Sequence, residues 1–343
     1  MLFLTEEELN KRMNRWMTRA EIRECAKYLK EQGKTVYSIS RLDSYTQCKY
    51  GYYRTYILGE YGGDSCYSYI GSQVHEHLEK IYKNEEAVEE MQEKLPKQMN
   101  LAKLFYPFPS QSIEKKYISD LELFAKNFVK QDYHKIYCER GFIIKVGKSY
   151  VQGYIDATIV NEDGSIDIID YKTSSAYSSE SIREHANQLL LYALAVKQID
   201  GVIPKSVKWY MLKYVSVTDK NGRKKEATPI NRSTLVKDLS SKIKTNMKKL
   251  GCENEMLLNM CIKENDMSAL PKEIQDRFII EECYVGYPIT EETMTEMYDY
   301  ITGTIAEIEA RDKNNTRLWQ PKAKSDFFCE NLCSHYDKCY GRQ

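Results

Sequence analysis

Residues 150–173 read YVQGYIDATIVNEDGSIDIIDYKT and carry the pattern that decides the fold. Two runs rich in β-branched and aromatic residues flank Asn161-Glu162-Asp163-Gly164-Ser165, a composition typical of a tight turn. The stretch therefore predicts a β-hairpin centred near Asp163. In an antiparallel hairpin with that centre, paired residue numbers add up to twice 163, so Asp156 and Asp170 are predicted to lie opposite each other on one face.

A lysine follows these two acids closely. Side chains alternate at a period of two along a strand, so Lys172 projects from the same face as Asp170. Two carboxylates at cross-strand distance repel each other, and a divalent cation between them removes the repulsion. A bound Mg²⁺ or Mn²⁺ together with a nearby lysine is suited to phosphodiester hydrolysis. The alternative is an ordinary exposed hairpin with Asp and Lys on its polar face.

Strand and helix patterns alternate along the rest of the chain. Runs typical of strands occur at 142–146, 150–160, 166–171 and 207–217. Apolar residues at helical spacing occur in 6–32, after Gly71, in 84–136 with interruptions at Pro96 and at 106–109, around Leu189, and from about Ser233 onward. These patterns predict an α/β protein with a mixed sheet core flanked by helices.

The composition is ordinary for a globular chain, because 42% of the 343 residues are apolar and 29% are charged. The formal net charge is zero, which argues against electrostatic binding of nucleic acid over the whole protein surface. Basic residues nevertheless far outnumber acidic ones between Lys220 and Lys249. This stretch predicts either a phosphate-contacting surface or a solvated helix face next to a hairpin tip.

The sequence lacks a run long enough to span a membrane and a start typical of a signal peptide, so a cytoplasmic location is expected, with no membrane partner. Ten cysteines in such a chain are better interpreted as thiols or metal ligands than as disulfides. Cys329, Cys333 and Cys339 lie within eleven residues, which predicts a metal site.

The hairpin motifs resemble those of the RecB-like exonucleases of the PD-(D/E)XK superfamily, whose members share G-x-h-D, D-h-K-T and Q-x-x-x-Y, where h is apolar or aromatic. The matching segments are Gly153-Tyr154-Ile155-Asp156, Asp170-Tyr171-Lys172-Thr173 and Gln188-Leu189-Leu190-Leu191-Tyr192. Upstream, Gly71-Ser72-Gln73-Val74-His75 is similar to the family's first motif. The resemblance implies a restriction-endonuclease-like fold.

The resemblance also implies roles for individual residues. It implies a set of metal ligands: His75, Asp156, Asp170 and the Tyr171 carbonyl. It implies a second set beside the DNA, with Lys172 as the catalytic lysine and Gln188 and Tyr192 bordering the DNA or helping to place the attacking water. The alternative for Gln188 and Tyr192 is the polar edge of an amphipathic helix, and for His75 a core or solvated histidine. His77 does not align with the motif.

The cysteines resemble those of an iron–sulfur subset of the same family, which includes CRISPR-associated exonucleases and the AddB nuclease domain. In that subset one cysteine precedes the first motif and three lie at the C-terminus, so the resemblance implies a [4Fe–4S] cluster on Cys48, Cys329, Cys333 and Cys339. The spacing here is C-x3-C-x5-C, whereas the familiar spacing is C-x2-C-x5-C. Zinc on the same cysteines, or with His335 replacing one, is the alternative.

The sequence as a whole predicts a nuclease core at 71–83 and 137–230. Around it we expect an N-terminal helical region at 1–70 containing Cys48, a helical insertion at 84–136, and a C-terminal helical region at 231–343 ending in the cysteines, which staple the terminus. The predicted function is a metal-dependent DNA exonuclease acting on single strands or duplex ends. Its alternatives are a DNA-binding subunit that assembles with a helicase, recombinase or integrase, and a restriction-type endonuclease.

Overall fold

The computed structural model describes residues 4–177, 182–222 and 226–341. The strands are β1 (Val36–Ser38), β2 (Lys135–Val146), β3 (Ser149–Val160), β4 (Ile166–Lys172), β5 (Ser206–Asp219), β6 (Thr228–Asn231) and β7 (Phe278–Tyr287). The helices are α1 (Glu6–Met13), α2 (Arg19–Glu31), α3 (Ile39–Gln47), α4 (Lys49–Tyr52), α5 (Cys66–Tyr82), α6 (Val88–Phe105), α7 (Gln111–Asn127), α8 (Ile182–His185), α9 (Asn187–Asp200), α10 (Leu235–Lys249), α11 (Glu255–Glu264), α12 (Lys272–Gln275), α13 (Glu291–Ala310), α14 (Phe327–Asn331) and α15 (Tyr336–Tyr340).

These strands form one mixed sheet. The long strand β3 pairs antiparallel with β2 along one edge. Along its other edge it pairs antiparallel with β4 and parallel with the short β1. Strand β4 continues the sheet to β5 in the parallel sense, and β6 and β7 pair antiparallel with β5. The architecture is therefore the mixed α/β core that the sequence predicts.

The predicted hairpin register is confirmed where β3 and β4 pair. The pairs run from Val160 opposite Ile166 to Ala157 opposite Ile169, so their numbers add up as expected for a turn at Asp163. Asp163 stabilises the turn by accepting hydrogen bonds from the backbone N–H and the hydroxyl of Ser165. The register brings the two motif aspartates to the open end of the hairpin.

Helices cover both faces of the sheet, as the alternation of buried residues requires. Ile168 packs with α3, α9 and α13 in one core, and its neighbour Ile169 packs with α5, α6 and α7 in another. Strand β3 departs from this alternation. Ile155 belongs to the first core and Ala157 to the second, although residues two apart normally share a face. The change of face falls at Asp156.

The sequence interpretation differs from the structure in two regions. Residues 84–136, the predicted helical insertion, supply α6 and α7, which pack over the sheet as a cap, with the ring of Phe124 6.0 Å from that of Tyr210. Pro96 lies inside α6 and does not interrupt it. The region 231–343, expected to be helical, also contributes β7 to the sheet, where Phe278–Tyr287 pairs with β5 at the sheet edge and buries few of its residues.

Within the described part of the chain, every helix is too short or too polar to cross a membrane.

Candidate active site and cysteine cluster

Asp156 and Asp170 lie where β3 and β4 separate. The last paired residues, Ala157 and Ile169, are their immediate neighbours. Beyond that pair, Asp156 Oδ2 accepts a 2.8 Å hydrogen bond from the backbone N–H of Tyr171, so a carboxylate takes the place of a backbone acceptor. Asp170 is 1% exposed and lies beside Trp209 of β5. Both acids are therefore held at a gap in the sheet ladder.

The glycine of the first hairpin motif is required by close packing. Gly153 pairs with Phe142 of β2, and a Cβ atom at Gly153 would lie 2.5 Å from the phenyl ring. Any side chain there would push β2 away from β3 just before Asp156. The glycine thus keeps the two strands in contact beside the site.

His75 reaches the aspartates from α5. Ser65 caps this helix by accepting a hydrogen bond from the backbone N–H of Ser68. Two turns into the helix, His75 Nδ1 lies 3.4 Å from Asp156 Oδ1. His77 is buried elsewhere and hydrogen-bonds Glu86 and Gln98, which gives it a structural role.

A third carboxylate, Glu139, joins the site from β2. The neighbouring pairs Cys138 with Ala157 and Arg140 with Ile155 place Glu139 opposite Asp156. Its backbone has a positive φ of 53°, a distortion that local sequence does not announce. The sequence interpretation missed this residue. The signal that could have found it is the register of the β2–β3 hairpin, counted from the turn at Gly147.

Lys172, Gln188 and Tyr192 form a hydrogen-bonded chain that begins and ends at Asp170. Lys172 Nζ lies 2.6 Å from Asp170 Oδ2 and donates a 2.8 Å hydrogen bond to Gln188 Oε1. Gln188 Nε2 donates to the Tyr192 hydroxyl at 2.7 Å, and that hydroxyl donates to Asp170 Oδ1 at 3.5 Å. Residues 188 and 192, one turn apart on α9, thus hold the lysine and the aspartate in fixed positions.

The charges of the site perturb one another strongly. Burial raises the pKa of Asp170, and the charge of Asp156 adds to the rise against the opposing effect of Lys172. Burial and Asp156 also raise the pKa of Glu139. Burial alone would raise the pKa of Asp156, but His75 outweighs it, and the pKa falls below its ordinary value. The site therefore concentrates buried negative charge that a cation would neutralise.

The donor set fits a divalent metal ion. Among the residues that the structure describes, one group of His, Cys, Asp and Glu side chains brings its ligand atoms within 4.8 Å of one another: His75, Glu139 and Asp156. Two carboxylates and one imidazole suit Mn²⁺, and an oxygen-rich set also suits Mg²⁺. Asp170 pairs with Lys172 instead of joining this group, so its place and that of the Tyr171 carbonyl among the ligands stay predictions.

The four predicted cluster cysteines come together at one small cavity. Cys48, at the start of α4, lines it together with Cys329, Cys333 and Cys339 of the tail. Cys48 Sγ also accepts a 3.4 Å hydrogen bond from the N–H of Gly51. Burial and the three neighbouring thiols raise the pKa of Cys339 to about 11. Cys48 is far from the three terminal cysteines in the sequence but lies at the same cavity in the fold.

The arrangement of these thiols is wider than a zinc site. Four thiolates at about 2.3 Å from a tetrahedral zinc lie about 3.8 Å apart. In the described chain, no three of the cluster thiols lie within 4.8 Å of one another. His335, the alternative zinc ligand, forms a 2.9 Å hydrogen bond with the Thr55 hydroxyl and does not line the cavity.

Among its described residues, the basic stretch between Lys220 and Lys249 contains both exposed lysines and a buried arginine. Arg223, Lys224 and Lys225 lie outside the described residues. Arg232 is buried, donates to the Leu212 carbonyl and pairs with Glu282, so it is not part of an exposed basic surface. The exposed lysines among its described residues are Lys220, just after β5, and the lysines of α10.

Comparison with known proteins gives a family match over most of the chain. The family model described as the PD-(D/E)XK nuclease superfamily matches residues 36–325. A search of curated protein sequences gave no match. A solved structure similar to this chain is that of a candidate exonuclease from Eubacterium rectale, with 14% identity, 81% of this chain and 98% of that chain covered, and a TM-score of 0.32. A likeness this weak supports no conclusion about function.

Proposed function

Because the chain belongs to the PD-(D/E)XK nuclease superfamily, we propose that it is a metal-dependent DNA exonuclease that acts on single strands or duplex ends. One observation carries the proposal: two buried aspartates, a histidine and an ion-paired lysine meet at a single gap in the sheet. Metal-dependent phosphodiester hydrolysis uses buried acidic groups together with a cationic side chain.

The metal ligands in this proposal are His75, Asp156 and Asp170, with the Tyr171 carbonyl and, newly, Glu139. A bound Mn²⁺ or Mg²⁺ supplies Lewis acidity toward a phosphate oxygen and lowers the pKa of water. The protein residues hold these ligands in place before any substrate arrives. Asp156, for example, is fixed by the Tyr171 N–H at 2.8 Å and cannot swing into solvent without losing that bond.

Lys172 supplies the positive charge of the site. Burial lowers the pKa of its ammonium group, but Asp170 and Asp156 outweigh burial, so the pKa is raised and the lysine stays charged at neutral pH. Gln188 accepts from Lys172 and thereby orients it. We propose that Lys172 donates to a phosphate oxygen or to the attacking water, and that Gln188 and Tyr192 are positioning residues.

The test compares linear and circular single-stranded and duplex DNA, incubated with the protein with and without Mn²⁺. We expect metal-dependent loss of linear DNA, sparing of covalently closed circles, and near-complete loss of activity in Lys172→Ala. Nicked circles would indicate an endonuclease instead. Binding to DNA without any metal-dependent cleavage would favour a DNA-binding subunit and remove the enzyme proposal.

For the cysteines we propose a [4Fe–4S] cluster held by Cys48, Cys329, Cys333 and Cys339. The four thiols surround one cavity and stand farther apart than a single zinc ion requires, and these two observations support the proposal. A cluster spreads its four thiolates over several irons, so wider spacing suits it. All ten cysteines are free, in keeping with the reducing cytoplasm, where we place the protein.

The cluster proposal is tested by anaerobic purification followed by visible spectroscopy and iron and zinc analysis. We expect a brown protein with broad visible absorbance and about four irons per chain. Cys252, half-buried and remote from the cavity lining, offers a matched control, and Cys252→Ser should retain the full iron content. A colourless anaerobic preparation containing zinc would refute the proposal.

A further inference from the structure

A large cavity opens next to the catalytic lysine. Its volume is about 740 Å³, within the range of pockets that hold small ligands. Thr173, which directly follows Lys172, lines it. The other walls come from the start of α5, from α7, from β5 and from the tail at Phe327, Phe328 and Leu332. The cavity therefore joins the nuclease sheet to the cysteine-bearing tail.

Lys213 of β5 lines this cavity, and its surroundings are unusual for a lysine. Its side chain is 8% exposed, yet among the described residues its ammonium group has no ion pair or hydrogen bond. The ammonium group lies 4.8 Å from the ring centroid of Tyr117. The nearest acid, Asp120, attracts it but already accepts hydrogen bonds from Asn231 Nδ2 at 2.9 Å and Ser233 N at 2.8 Å. A buried ammonium without a partner is costly and indicates an anionic ligand.

Two further features give the cavity a positive character. Lys116 of α7 also lines it and is exposed. The N-terminus of α5 lines it through Ser65, Tyr67 and Ser68, and the first turn of that helix has no acidic side chain. The dipole of this 17-residue helix favours an anion at that end. Three elements thus direct positive charge into the cavity, which one carboxylate, that of Asp120, also lines.

The cavity lies close to the metal ligands. Helix α5 connects the two sites, because Ser68 lines the cavity and His75 lies seven residues later. At 1.5 Å per residue, the separation along the helix is roughly 10 Å. Gly71, between them, packs so closely on Thr173 that an added Cβ would lie 3.3 Å from its hydroxyl oxygen. At this separation along α5 from His75, the cavity is close enough to hold a nucleotide next to the scissile bond. It is therefore not a separate ligand site.

We propose that this cavity binds a nucleotide of the single-stranded DNA substrate beside the scissile phosphate, with Lys213 and Lys116 at its backbone phosphate. We call it the strand subsite. The inference rests on the proposed nuclease function and names its substrate as a single strand. The exposed ring of Phe327 and the ring of Tyr67 provide surfaces on which an unpaired base stacks, whereas a base inside a duplex is not available for stacking.

The test measures binding of a fluorescent single-stranded oligonucleotide at several salt concentrations in EDTA, where the strand is not cleaved. Each phosphate contact on single-stranded DNA contributes about 0.7 to the slope of log affinity against log salt. We expect Lys213→Met and Lys116→Met each to reduce the slope by about 0.7. Lys145→Met, an exposed control on β2 outside the cavity, should leave the slope unchanged, and none of the variants should alter binding to a blunt-ended hairpin duplex.

Unchanged slopes in both cavity variants would overturn the strand subsite. Thermal unfolding checks that each variant is folded, and if Lys213→Met does not fold, the exposed Lys116→Met decides the question. A failure of the proposed nuclease function would be detected by a different measurement, the cleavage assay with Mn²⁺. A wild type that binds the strand with the expected slopes but cleaves nothing with Mn²⁺ would contradict the nuclease and leave the subsite, whereas an active nuclease with unchanged slopes would remove the subsite alone.

Discussion

Glu139 and Asp156 face each other across the β2–β3 ladder and bring carboxylate oxygens within 4.8 Å of each other. Glu139 achieves this with a left-handed backbone, and Arg19 holds its outer oxygen at 2.6 Å. A strained conformation that brings two acids together is unfavourable unless other interactions compensate for its energetic cost. A shared cation provides such compensation, which supports the proposal that Glu139 is a metal ligand together with His75 and Asp156.

Glu139→Gln should therefore weaken metal binding. The change removes one anionic oxygen from the donor set while keeping size and hydrogen-bonding capacity. Even residues that only orient metal ligands cost about 10- to 100-fold in affinity when they are changed, so a direct ligand should cost at least about tenfold. The measurement is calorimetric titration with Mn²⁺, together with the Mn²⁺ concentration that gives half-maximal cleavage.

A matched control for that variant lies on α5. Glu76 is adjacent to His75 in sequence but points outward and pairs with Lys80 at 2.5 Å. Glu76→Gln should leave both readings within about twofold of wild type, as expected for an exposed helix pair. Equal Mn²⁺ affinity in Glu139→Gln and wild type would show that the Glu139 carboxylate is not a ligand.

Lys172→Ala should abolish catalysis without abolishing metal binding. Loss of a single preorganised donor to a reacting oxygen typically lowers kcat by about 100- to 1000-fold. Lys172 is a cation and cannot be a ligand, so Mn²⁺ affinity should persist or rise as its competition for Asp170 disappears. Single-turnover cleavage and Mn²⁺ titration give the two readings. A fall in metal affinity that matches the fall in rate would contradict the assigned role.

The hairpin could be predicted from the sequence because its turn is local. Asn161 to Ser165 fix the centre of the hairpin, and the period of two then fixes which residues meet. The same reasoning places Lys172 beside Asp170. The alternation of side chains does not predict that β3 and β4 separate at this point, where the Asp156 carboxylate accepts a hydrogen bond from the Tyr171 N–H. This local change depends on packing from both faces of the sheet.

Other parts of the site depend on long-range contacts that local patterns do not encode. Glu139 enters the site through a positive φ, which is unusual for a glutamate and has no sequence signature. Strand β7 lies at the edge of the sheet and buries only two of its ten residues, so its sequence has no clear apolar alternation. Lys213 looks like an ordinary strand lysine, and its burial depends on α7 and the tail.

Cys48→Ser should loosen the tail and weaken the strand subsite at the same time. Cys48 joins α4 to the terminal cysteines, and Phe327 and Phe328 of that tail form one wall of the cavity. Loss of a structural metal site destabilises the fold it closes, so we expect the Tm to fall by roughly 5 °C or more. Single-strand affinity should fall as well. Cys252→Ser is the control, and an iron-free Cys48→Ser protein with wild-type Tm would contradict the stapling role.

Lys213→Met should stabilise the protein while impairing strand binding. Burial lowers the pKa of Lys213 to about 8, against the partial attraction of Asp120 and with added repulsion from Lys116. Below pH 8 the folded chain must hold a buried charge that the unfolded chain holds in water. At about 1.4 kcal/mol per pKa unit, the penalty is of the order of 3 kcal/mol at neutral pH.

The sign of this effect sets its pH dependence. Between the folded pKa of about 8 and the ordinary value of 10.5, the unfolded state binds more protons than the folded state, so wild-type stability rises with pH. The advantage of Lys213→Met in the free energy of unfolding should therefore be largest below pH 8 and shrink toward pH 10.5. Urea denaturation at pH 7 and pH 9.5 measures it, with Lys145→Met as the exposed control. A variant less stable than wild type at pH 7 would mean that the Lys213 ammonium is satisfied within the fold, and the charge that we assign to DNA would then have another partner.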